Sequence, residues 1–140
     1  MRSLKSILSV CALTLAAAGA NADVVVIVNP KNPAAALSAE QVAALYLGNS
    51  NTFPDGGAAT LADQPESAPV RGVFYEKATG RSAAQAKATW ARLTFTGKGT
   101  PPKELKSDAD VKAFVAADPK AIGYVDSSAV DGSVKAVLKL

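Results

Sequence analysis

The apolar residues of this chain fall in short blocks, each with the period of one element, separated by turn-forming polar segments. Residues 24–29, VVVIVN, are a continuous β-branched run, the pattern of a strand buried on both faces. Two X-Pro steps in Asn29-Pro30-Lys31-Asn32-Pro33 stop it by forcing extended backbone. Leu37 then precedes Ser38, and Gln41 lies three residues on, the spacing of a capping box. Val42, Leu45 and Tyr46 share one face of the helix that follows, and Gly48 fits the residue just past its end. Residues 49–57 read as a mobile, turn-rich loop. A strand over ATLA, 59–62, leads through the turn-forming DQPES, 63–67, into a helix whose apolar face is VRGVFY, 70–75. Ser67 takes the N-cap position of that helix, Pro69 its first turn, and Gly80 its stop.

A second capping box, Ser82 with Gln85, opens an Ala-rich helix that runs through Trp90 and Leu93 toward Phe95. Tyr75, Trp90 and Phe95, at helical spacing, read as core or inter-helix packing. Residues 97–102 break the helix. Ser107 caps another, with Asp108 and Asp110 favouring its first turn and Val111, Phe114 and Val115 facing inward. Asp118-Pro119 ends it. Residues 121–126, AIGYVD, form a second buried strand in which Gly123 permits close sheet packing. VKAVLKL, 134–140, alternates in part, as an edge strand does. Strands and helices thus mix along the chain. This predicts an α/β fold, a small mixed sheet of about four strands flanked by helices.

The first residues change the picture of composition. Arg2 and Lys5, an apolar run over 7–18 and the small-x-small step Ala20-Asn21-Ala22 read as a secretory signal peptide. Residues 1–22 are then a leader, 23–140 a single domain, and the periplasm its location. The run is too short to span a bilayer, and nothing later is apolar for long enough, so no membrane insertion of the mature chain is expected. Cys11 lies inside the run, after Val10, which does not match the end-of-run placement that lipidation requires. The leader takes with it the only Cys and two of the fifteen basic residues, leaving thirteen basic against twelve acidic residues, a formal charge of +1. The mature chain then has no disulfide and no thiolate. The absence of His from the whole sequence excludes His acid–base chemistry and Ser-His-Asp triads. No acidic cluster has metal-ligand spacing, so neither an enzyme nor a cofactor is expected. The near-neutral charge gives no case for nucleic acid. Lys98, Lys103 and Lys106 flank a loop without interleaved aromatics and read as solvated.

Candidate chemistry concentrates where the strand over 59–62 feeds the next helix. A short loop at that junction leaves backbone N–H groups free, the basis of an anion site. Ser67 and Arg71 are the candidates to hold an anion, with Asp63 and Glu66 beside them. Each also fits a structural role: Ser67 as a cap, Arg71 as a surface charge, and the two acids as partners of the helix dipole. Asn29, with Lys31 and Asn32, forms a second set, because ligands of open α/β sheets approach strand ends. Asp126-Ser127-Ser128 follows another strand and fits a turn.

Two segments carry a resemblance. VVVIVNPKNP followed after three residues by LSAEQVAALYLG, and VAADPKAIGYVDSSAV near the C-terminus, resemble the second lobe of periplasmic phosphate-binding proteins, the substrate-binding subunits of phosphate ABC transporters. The resemblance covers most of residues 23–140. It implies one lobe of a type II periplasmic-binding-protein-like fold, a phosphate-like oxyanion ligand and a transporter or other periplasmic partner. The family's members have two lobes and bind phosphate between them, whereas this chain has room for one. A single lobe that binds tightly is therefore expected to self-associate. The family's loop carries an Arg, three residues, then Ser-Gly-Thr. Here Ser67 carries over, while the Arg position reads Asp63, the Gly reads Ala68 and the Thr reads Pro69. An interaction protein that kept the lobe and lost the ligand is the alternative.

Overall fold

The computed structural model describes residues 23–140, and the leader expected over 1–22 lies outside the described residues. The chain runs β1 (Val24–Val28), α1 (Ala39–Tyr46), β2 (Thr60–Asp63), α2 (Pro69–Phe74) with a π-helical turn (Tyr75–Thr79), and α3 (Ala83–Phe95). It continues through β3 (Lys103–Glu104), α4 (Asp108–Ala117), β4 (Ala121–Asp126), a 3₁₀ turn (Ser127–Ala129) and β5 (Lys135–Lys139). The strands form one sheet in the order β3-β2-β4-β1-β5. β2 is parallel to β3 and β4, and β1 is antiparallel to β4 and β5, so the sheet is mixed. It has five strands rather than four. The extra strand is the two-residue β3, whose exposed Lys103-Glu104 gives no strand signal and pairs only because β2 offers a free edge.

β1 shows why a β-branched run suits the centre of such a sheet. Its side chains alternate between two cores. Val24, Val26 and Val28 join Val42, Leu45, Tyr46, Phe74 and Tyr75 under α1 and α2. Val25 and Ile27 join Val111 and Val115 of α4 on the other face. Gly123 lies where α4 crosses β4: a Cβ there would stand 2.5 Å from Val111 and 3.4 Å from Ala62. Both capping boxes form, at Ser38–Gln41 and Ser82–Gln85, and Ser107 accepts from Asp110 N–H. Gly48 follows α1 with φ +77°, the left-handed conformation expected just past a helix end. The turn-rich 49–57 segment is anchored by the buried Phe53. β5 is an edge strand, and Leu37 N–H donates to Val137 O at 2.9 Å beside it.

Two local expectations are corrected. Ser67 is not the N-cap of α2; Ala68 is, with Pro69 at the first helical position and no side-chain cap. Phe95 is not packed but 92% exposed. It stands five residues after the buried Trp90, about 140° round the helix at ~100° per residue, on the face turned away from the core. No helix among the described residues is long and apolar enough to cross a membrane.

Candidate functional site

Because β2 runs parallel to β4, their C-terminal ends share one edge of the sheet. At that edge β2 delivers Asp63, the loop into α2 delivers Ser67, and the first turn of α2 delivers Arg71. These three residues line one cavity of 820 Å³ between the β2–α2 junction and the C-terminal half of α3. Asn29 is not brought there. β1 is antiparallel to β4, so Asn29 leaves the sheet at the opposite edge. Its side-chain amide donates to Val115 O at 2.9 Å and Ala116 O at 3.0 Å, tying β1 to the end of α4. Asn32 is likewise used locally, accepting from Ala34 N–H at 2.8 Å, while Lys31 is exposed. Asp126 accepts from Ser128 N–H and caps the 3₁₀ turn.

Asp63 is 5% exposed and embedded in hydroxyls. One carboxylate oxygen accepts from the Tyr75 hydroxyl at 2.6 Å. The other accepts from Gln64 N–H at 2.8 Å and from the Tyr124 hydroxyl. Burial first, and then the Asp63 charge, hold the Tyr75 and Tyr124 phenols well above their ordinary range, so both remain donors. Tyr46 completes the layer, donating to Ala62 O at 2.6 Å, and burial raises its phenol too. The rings pack around Phe74, which stacks on Tyr124 at 4.0 Å between centroids and meets Tyr46 edge-on at 4.7 Å. Gln64 locks the junction, its amide donating to Tyr124 O at 3.0 Å and to Asp108 at 2.7 Å. The sequence held one signal for Tyr124 as a site residue: a tyrosine in an otherwise apolar buried strand needs a hydroxyl partner.

Arg71 is 6% exposed. One Nη donates to Gln64 O at 2.8 Å, the guanidinium sits 5.7 Å from the Tyr75 ring centroid, and Glu104 lies 3.8 Å away. Its Nε–H is buried and has no hydrogen-bond partner among the described residues. Ser67 is exposed on the rim. So is Glu66, whose carboxyl the Lys87 ammonium holds below its usual range through a direct hydrogen bond. The opposite wall is apolar: Trp90, Ala91, Phe95, Pro101 and Pro102. Trp90 is fixed there by its Nε1–H donating to Tyr46 O at 2.7 Å. No group of three or more acids, cysteines or histidines among the described residues is placed to hold a metal ion.

No family model and no curated protein matches the chain. Solved structures do. A candidate phosphate ABC transporter substrate-binding protein from Clostridium perfringens, solved with phosphate bound, superposes with a TM-score of 0.67 at 22% identity over 82% of this chain and 44% of that one. An ABC-type phosphate transport receptor from Vibrio cholerae gives 0.63 at 21% identity, over 82% and 45%. A candidate phosphate-binding protein from Planctomyces limnophilus gives 0.61 at 15% identity, over 82% and 40%. The chain therefore has the fold of these phosphate-transporter binding proteins, and spans somewhat less than half of their length.

Proposed function

We propose that this protein is a periplasmic solute-binding module that takes a small oxyanion, phosphate or one like it, at the Asp63–Arg71 end of the cleft. The buried Nε–H of Arg71, without a partner among the described residues, carries the reading. A buried donor left unmade costs about 1–3 kcal/mol, more when charged, and a small rotation of the guanidinium into the cavity that Arg71 lines would let an oxyanion oxygen satisfy it. Ser67 adds a hydroxyl from the rim. Asp63 opposes a fully ionised ligand: at about 4 Å, with an effective dielectric near 20, the repulsion is about 4 kcal/mol. It uses three of roughly four acceptor positions, and the remaining one can take a proton from the ligand. This favours oxyanions that carry a proton at neutral pH over sulfate. The resemblance to binding proteins, the fold and the leader-like first residues support the periplasmic location.

Calorimetry of residues 23–140 with phosphate and sulfate tests the reading, with Ser67→Ala and Arg71→Ala alongside. Saturable heat with phosphate, weaker with sulfate and weakened by both substitutions, is expected. A cleft open to solvent holds an anion tightly only when something covers it, either a second copy of the chain or a transporter or other periplasmic protein. Sedimentation with phosphate should then show a rise in mass wherever affinity is high. One observation favours a second reading, a periplasmic interaction protein that has lost the ligand: Asp63, Glu66 and Glu104 outnumber the cations Arg71 and Lys87 in the cleft. Silence with every anion would select it.

A further inference from the structure

The cavity is far larger than an inorganic oxyanion. On a yardstick of ~30 Å³ per water, such an ion fills roughly 100 Å³ of the 820 Å³ present. Sites of about 300–1,000 Å³ suit organic ligands of drug-like size. The lining is also divided. Arg71 and the Ser67 hydroxyl lie toward α2, whereas Trp90, Phe95, Pro101 and Pro102 form the facing wall. Phe95 is the one large apolar side chain exposed among the described residues, and it lies on this wall rather than elsewhere on the surface. Charge alone attracts an anion weakly here, since three carboxylates line the cleft against two cations. Apolar contact must then supply part of any affinity.

We infer that the ligand is a small organic anion, a single phosphate or carboxylate head on an aromatic or other apolar body, with its head at Arg71 and its body against Trp90 and Phe95. This rests on the proposed oxyanion role of Arg71 and adds the ligand class. A body against this wall removes part of the Phe95 face from water, makes offset or edge contact with that ring, and meets only the exposed rim of Trp90. The head keeps only one or two charges near Asp63, Glu66 and Glu104.

The test compares inorganic, methyl and phenyl phosphate by calorimetry. Fluorescence of Trp90, the only tryptophan in the sequence, reports occupancy of the wall. Phenyl phosphate should bind at least tenfold more tightly than inorganic phosphate, with methyl phosphate between them, and should change the fluorescence. Phe95→Ala, at an exposed position that folding does not depend on, should shrink the phenyl preference to within about threefold. Equal affinity for phenyl and inorganic phosphate overturns the inference and leaves the oxyanion site standing. So does a phenyl preference that Phe95→Ala leaves intact. Binding of phenyl phosphate alone upholds the inference and removes the free mineral ion as ligand. Binding of none of the three overturns both readings.

Discussion

Asp63 sits at the C-terminal end of a strand, yet its charge is solvated by groups far away in sequence, the hydroxyls of Tyr75 and Tyr124. Hydrogen bonds to a charged, buried partner are worth about 1.5–3 kcal/mol each. Tyr124→Phe should therefore lower unfolding stability by about that amount in urea denaturation, and a change under about 0.5 kcal/mol would show that the hydroxyl does not stabilise the Asp63 charge. The sequence shows Asp63, Ser67 and Arg71 as neighbours because the nine residues 63–71, one loop and one helix turn, hold them together. It did not reveal their partners, because 61 residues separate Asp63 from Tyr124 and only the parallel pairing of β2 with β4 joins them. Whether Asn29, at its own strand end, shares a sheet edge with Asp63 is hidden for the same reason: strand direction, which local pattern does not encode, decides which edge a residue reaches.

Helix ends separate capping serines from a serine that merely precedes a helix. Ser82 accepts from Gln85 N–H at 3.1 Å, whereas Ser67 makes no cap bond to α2. Ser82→Ala should cost about 1 kcal/mol and Ser67→Ala within ±0.5 kcal/mol, measured as shifts in thermal midpoint. Equal losses would return Ser67 to a capping role. Gly123→Ala should cost about 1–3 kcal/mol, since the added methyl meets Val111 and forces α4 off β4. Most elements were legible at this scale because caps, X-Pro stops and β-branched runs act locally. β3 was not, being two polar residues, nor was the exposure of Phe95, which depends on which face of α3 finds a partner.

All three tyrosines of the chain lie in one buried layer, which sets the response of the whole molecule to alkali. Their phenols titrate above the ordinary value in the folded state, chiefly through burial. The stability they contribute is complete below the unfolded value of about 10 and is lost as pH rises beyond it, because only the unfolded chain releases those protons. Each phenol contributes a slope of up to about 1.4 kcal/mol per pH unit. The urea midpoint should fall steeply above pH ~10, and Tyr75→Phe should flatten that fall by about a third. An equally steep fall in the variant would contradict the assignment.

If Arg71 Nε–H contacts a bound anion, the Arg71 Nε–H resonance in a ¹H–¹⁵N spectrum reports it at that atom. Burial slows its exchange with water and makes it observable. During a phosphate titration this resonance should shift downfield saturably, with the same midpoint as the calorimetric heat. A resonance that stays in place while phosphate saturates the protein would rule that contact out.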